Sequence, residues 1–365
     1  MRRLLVTVLL AALVALAGCG GSGTTTTAPT TDETTAATTT QESVSDFPPG
    51  ASASGLTNAS ASGLTNASAL IEAHIDALND TAYAFELDAT NTGGDTETRT
   101  RFAGATDGDD TVFRQNTTGS ALELYASGDY ALQRQSSGDT TRYQVLQGPI
   151  AAQQASSMTT VQQLVLATYL GAGDYAVTGT TTSDGTEYVE LRATGVNESS
   201  STAENVESFE ATLLVTQDGR IDEFTGTVRA NQSGTTTTTE FSYGVTDVGS
   251  ADPSAPAWAA DIPQVTASVA DGGNALVVEN TGGSAVAANT SLTLMTDAGY
   301  ADVTFAAELA PGETAYVAAT EGDGGLTATV TRDAPADGGF DFASANRVVL
   351  TGQAGSVVFQ LVVEN

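Results

Sequence analysis

From about residue 83 the chain breaks repeatedly into short runs in which apolar and polar residues alternate, most of them closed by a glycine-containing turn. The runs Tyr83–Asp88, Thr98–Ala103, Leu122–Tyr125, Tyr130–Gln135 and Arg142–Leu146 are punctuated at Gly93-Gly94, Asp107-Gly108, Gly119-Ser120, Gly128-Asp129 and Gly138-Asp139. A period of two places every second side chain on one face of a strand, and such turns reverse the chain into its neighbour, so the pattern predicts an antiparallel meander. Strands resume at Tyr175, Tyr188–Arg192, Phe209–Thr216, Ile221–Ala230 and Glu240–Val245, with Asp184-Gly185, Asp218-Gly219 and Ser233-Gly234 as turns.

Two segments carry the helical period instead. Ser68–Asn79 sets Leu70, Ile71, His74, Ile75 and Leu78 on one stripe, with Ser68 as N-cap. The single His of the chain therefore belongs to the apolar side of a short helix, which favours a packed imidazole over a catalytic or metal-binding one. Pro149 opens a second helical segment, Ile150–Leu170, with Val161, Leu164, Val165 and Thr168 as its stripe. Helix, meander, helix, meander is an α+β pattern with one curved sheet.

Composition removes most chemistry. The 12 basic residues are all Arg, set against 44 acidic ones, with one His and one Cys. Without Lys there is no Walker lysine and no Schiff-base nucleophile, and one His with one Cys cannot build a zinc cluster or a disulfide framework. No G-x-S-x-G elbow or G-x-G-x-x-G turn occurs. A net charge of -32 argues against nucleic acid, whose phosphates need a basic face. Asp107-Gly108-Asp109-Asp110 and Glu321-Gly322-Asp323 lack the ligand spacing of a calcium loop and read as turn chemistry. Neither an enzyme nor a cofactor is expected; a carboxylate-dependent hydrolase is the one catalytic class left open.

The acidic surplus with Lys absent resembles proteins of salt-loving archaea, because molar salt shortens the Debye length to about 3 Å and removes self-repulsion. Met1-Arg2-Arg3 leads into the apolar run Leu4–Ala17, shorter than the roughly 20 residues of a membrane span, so residues 1–18 read as a signal peptide. Leu16-Ala17-Gly18-Cys19 resembles the lipobox of secreted lipoproteins; that resemblance implies cleavage after Gly18 and lipidation of Cys19, which would hold the protein at the outer face of the cell membrane. The paired arginines also resemble a twin-arginine export signal, and general secretion remains the alternative route. Residues 19–67 are a Thr/Ser-rich tether, expected to be disordered, in which the octapeptide Ala51–Asn58 repeats at once as Ala59–Asn66. Sequons at Asn58, Asn66, Asn79, Asn116, Asn197, Asn231 and Asn289 are glycan candidates if the chain is exported.

The order of elements over residues 68–250 resembles the lipoprotein-carrier fold of the LolA and LppX proteins. That resemblance implies a half-barrel sheet covered by helices around an apolar cavity. The alternate strand positions that would line it are Phe85, Leu87, Phe102, Leu122, Leu124, Tyr143, Val145, Leu213 and Val215, which would equally fill a plain core. After a proline-rich linker at 251–262, with Trp258 as a plug between domains, residues 263–365 show short strands of the immunoglobulin-like sandwich kind. Val277–Gly282 and Leu309–Thr314 resemble stretches of adhesion-type sandwich modules. Two functions follow: a non-catalytic surface lipoprotein binding an apolar or lipid-like ligand, or a structural or adhesive envelope protein with a solid core. Protein partners are not legible.

Overall fold

The computed structural model describes residues 63–364, apart from 65, 201, 202, 204, 233, 323, 324 and 336–338. The signal peptide, Cys19, the first repeat copy and the Asn58 sequon lie outside the described residues. The chain is mostly β with few helices, and it forms two compact units. The first comprises the described residues up to Asn79 with Asp88–Thr98 and Gln162–Gly244; the second comprises Asp80–Leu87, Arg99–Val161 and Val245–Asn365.

In the first unit, α1 (Ala67–Leu78) is capped by Asn66, whose side-chain oxygen accepts the Ala69 N–H at 3.1 Å. The cap lies two residues before the expected Ser68, and it satisfies a donor that the first helical turn leaves unpaired. Leu70, Ala73, His74 and Leu78 form the buried face. Just upstream, the Leu64 N–H donates to the Tyr175 carbonyl at 3.2 Å. Five antiparallel strands follow one another in the sheet: β7 (Gly173–Ser183), β8 (Thr186–Val196), β9 (Val206–Thr216), β10 (Ile221–Gln232) and β11 (Thr235–Thr246). The row Tyr243, Phe224, Leu213, Leu191, Val177 crosses all five in register, and beside it runs Phe241, Gly226, Ala211, Ala193, Tyr175.

The second unit takes residues 83–87 of β1 (Tyr83–Gly93) and most of β2 (Thr96–Thr106), and continues through β3 (Asp110–Thr117), β4 (Ser120–Ser127), β5 (Tyr130–Ser137) and β6 (Thr140–Gln147). The sequence pattern missed β3, where Val112 and Phe113 are adjacent and only Phe113 is fully buried. The predicted helix over 150–170 is two helices, α2 (Pro149–Ala155) and α3 (Ser157–Ala172), parted at Ser156. Its stripe is rotated from the expected one: Val161, Val165, Leu166, Tyr169 and Leu170 are buried, whereas Leu164 is 40% exposed.

Beyond the prolines, a short 3-10 turn (Ala257–Asp261) buries Trp258, whose indole N–H donates to Glu123 and whose ring lies 5.8 Å from Tyr143. One sheet of four strands has the order β12 (Pro263–Val269), β13 (Leu276–Gly283), β16 (Thr314–Gly322), β17 (Gly325–Thr331). The other C-terminal strands, β15 (Gly299–Thr304), β14 (Ser291–Thr296), β18 (Arg347–Ala354) and β19 (Val357–Glu364), do not stand apart from the meander. Strand β19 pairs in parallel with β6, from Val357↔Tyr143 to Leu361↔Gln147. The Gln147 side chain, buried, adds a second tie: its amide donates to the Ala267 carbonyl at 2.8 Å and accepts the Ala267 N–H at 2.6 Å. One apolar cluster joins both sheets, from Val265, Leu276 and Val278 to Leu294, Val303, Leu350 and Phe359, with Val145 of β6 in the same cluster.

Candidate functional site

The row of Gly226, Ala211 and Ala193 leaves the middle of the first unit's sheet shallow, because these side chains have one carbon or none. Aromatic rings fill the depth. Tyr169 of α3 stacks on Phe241 at 3.9 Å between centroids, and Phe224 meets Phe241 edge-on at 5.0 Å. Phe209 and Tyr175 complete the cluster, their rings 6.0 Å apart. A Cβ added at Gly226 would lie 2.7 Å from the Phe241 ring, which explains why glycine stands there. Burial raises the Tyr169 hydroxyl to about 12, and it raises Tyr175 as well; the Tyr175 hydroxyl donates to the Tyr169 carbonyl at 3.0 Å. Offset and edge-on rings of this kind contribute beyond their buried area.

One imidazole shares this apolar face. His74 is fully buried, and the Ile221 N–H donates to its Nδ1 at 3.1 Å. Because Nδ1 accepts, the ring proton is on Nε2, 2.9 Å from the Tyr243 hydroxyl oxygen. Burial holds its pKa down to about 4, the Asp222 carboxylate opposing that shift and Arg220 adding to it. The lone His is thus a packed, neutral group.

The nine candidate cavity residues are not one set. Leu213 and Val215, both fully buried on β9, belong to the first unit, with Leu213 in the row beside the small residues. In the second unit Phe85 and Phe102 come together around Phe113, at 6.5 and 6.1 Å, and Phe113 pairs with Leu124. Leu87 is buried on β1 and Leu122 half-buried on β4. Tyr143 and Val145 face the other way. Leu124 sits opposite Gln133, and Gln133 opposite Gln144, so Val145 falls on the face of Leu132 and Tyr125, against Trp258. A cavity shared by Leu124 and Val145 is therefore excluded by register: adjacent residues of a strand point to opposite faces. Phe113, Tyr169, Phe224 and Phe241 are core aromatics that the sequence pattern does not single out, because each needs a cross-strand or helix partner to be recognised.

Two open clefts of the first unit hold none of the nine candidates. One, about 530 Å³, is lined by Glu198, Val206, Glu207, Phe209 and Glu210 among others; the second, about 240 Å³, lies between α1 and α3 over Ile71 and Ile75. Among the described residues no group of three or more His, Cys, Asp or Glu side chains is placed to hold a metal ion. Asp107 accepts the Asp109 and Asp110 N–H groups at 3.1 and 2.8 Å, which is turn chemistry. No helix among the described residues is long and apolar enough to cross a membrane. Of the sequons, Asn116 and Asn289 are exposed, Asn66 caps α1, Asn197 donates to the Gly171 carbonyl at 3.4 Å and Asn231 to Glu207 at 3.3 Å.

Residues 3–262 match the model of a family described as a family of unknown function, DUF7537, and the chain belongs to that family. No curated protein matches it by sequence. Among solved structures it is similar to a LolA superfamily protein from Nitrosomonas europaea, at 11% identity and a TM-score of 0.20, over 52% of this chain and 94% of that one. It is also similar to LprF from Mycobacterium bovis, at 9% identity and a TM-score of 0.26, over 53% and 100%. The lipoprotein LppX from Mycobacterium tuberculosis stands at 13% identity and a TM-score of 0.23, over 50% and 95%.

Proposed function

We propose that this chain is an exported, non-catalytic lipoprotein of carrier type that holds an apolar or lipid-like ligand between the 162–172 part of α3 and the sheet of β7–β11. In this reading residues 1–18 are the signal, Cys19 carries the lipid, 19–67 tether the protein to the outer face of the membrane, and 68–250 form a half-barrel carrier domain. A linker at 251–262 and an immunoglobulin-like module at 263–365 follow, and the acidic surface is an adaptation to high salt. One observation carries the ligand assignment: in a trough of small residues, Gly226, Ala211 and Ala193, the Phe241 ring lies against Gly226, and Tyr169 of a covering helix stacks on Phe241. A ligand chain of similar girth would take that place once α3 shifts, so Leu213 and Val215 stay as ligand candidates, with Phe224 and Phe241 added.

A structural or adhesive role is the second reading, and it has its own support. The interior is filled, with Phe113, Phe209, Phe224, Leu191 and Leu213 fully buried. A polarity-sensitive fatty-acid probe separates the two. The carrier reading expects saturable fluorescence with the soluble protein in molar salt, abolished in Ala211→Trp, which fills the trough, and kept in Leu164→Ala on the helix exterior. No binding by the folded parent protein would leave the structural reading.

A further inference from the structure

His74 joins α1 to two strands through bonds that tolerate only one protonation state. A backbone N–H such as that of Ile221 can donate and never accept, so a proton on Nδ1 sets donor against donor and removes the 3.1 Å bond. The Tyr243 hydroxyl can turn; the Ile221 amide, at the start of a paired strand, cannot. We infer that His74 is an acid-sensitive latch, whose protonation frees α1 from β10 and β11 while the sheet stays paired. The functional meaning of that opening rests on the carrier reading; the latch itself does not.

The charges around the ring leave burial in control. Asp222 draws the proton in, but it is tied to Arg220, whose guanidinium donates at 2.8 Å, and to the Tyr188 hydroxyl at 2.9 Å. Asp218 accepts from the Thr216 hydroxyl in the adjoining turn, and Glu72 and Asp76 of α1 occupy exposed positions. Enclosure keeps the folded ring neutral down to about pH 4, whereas a solvated imidazole takes its proton near 6.5. Between those values an opened α1 binds more protons than a closed one, so acid favours opening. The helix is the part able to yield: it has a single buried face of four residues, while β10 is paired with β9 from Ile221 to Ala230 and with β11 from Glu223 to Gln232. The Leu64 bond to Tyr175 holds the chain where it enters the helix.

No other His exists in the chain, so the expected transition lies between about pH 6.5 and 5 and is assigned to this ring by its loss in a His74 variant. Hydrogen exchange of the mature protein in molar salt, corrected for intrinsic rates, tests the latch. The expected result is at least a tenfold loss of protection for Leu70–Leu78 from pH 6.5 to 5, with β9 and β10 unchanged. His74→Gln, whose amide can accept from Ile221 and donate to Tyr243, should keep α1 protected at both pH values. Joint loss from α1 and β10, no loss, or an unaltered pH response in the variant would each overturn the latch. Should the variant not fold, a side-chain NMR titration of the parent decides: the ring must stay neutral from pH 6.5 to 5 while α1 loses protection, and a ring that takes up its proton in that window with α1 still protected refutes the latch. Helix opening without binding of the fatty-acid probe at any pH would sink the carrier reading and leave the latch standing.

Discussion

Gly226 and His74 are two single residues of the first unit whose surroundings leave little room for change. Any Cβ at position 226 must displace the Phe241 ring, which is stacked on Tyr169 and edge-on to Phe224, and so cannot give way alone. Gly226→Ala should therefore cost about 1–3 kcal/mol, measured by denaturant unfolding at fixed salt; a neutral effect would mean that the face is loosely filled. His74 imposes a pH dependence whose sign follows from its environment. Its folded pKa, about 4, lies below the 6.5 of the unfolded chain, so the unfolded state binds more protons between those values. Stability is fully present above about 6.5, falls as pH drops through the window, and levels below about 4, a loss of about 3 kcal/mol at most. His74→Gln should flatten the thermal midpoint between pH 6.5 and 5, where the parent declines.

Elements show what was legible beforehand and what was not. Turn dipeptides and alternation located most of the meander, because hairpins are specified by neighbours in sequence. The predicted first helix agrees with α1 except at its cap. Asn66→Ala should weaken α1 by about 1 kcal/mol, seen as faster exchange at Leu70 with β10 unaffected, whereas Ser68→Ala should do less. Strand β3 escaped because its single core side chain, Phe113, adjoins Val112 and breaks the alternation. In α3, Leu164 faces outward and Leu166 and Tyr169 inward, a face set by tertiary packing that a stripe read from spacing alone does not fix. The β6–β19 pairing joins residues more than two hundred positions apart in parallel, and no turn announces it. Alternation also tells which residues of one strand share a face, but cross-strand register alone says which faces coincide. That is why Leu124 and Val145, alike in sequence pattern, end on opposite sides.

For the whole molecule, charge sets the terms. A net charge of -32 implies self-repulsion that salt screens, so the thermal midpoint should climb steadily from 0.1 M to molar sodium chloride, and a flat profile would remove the case for a high-salt habitat. Replacing Cys19 by Ser should release the protein from membranes into the medium; unchanged retention would refute lipid anchoring. The most direct measurement is native mass spectrometry of the Cys19→Ser protein purified in molar salt without detergent. The carrier account predicts a bound apolar species that survives purification and is missing from Ala211→Trp. A parent protein that flies only at its own mass, folded and empty, would contradict it.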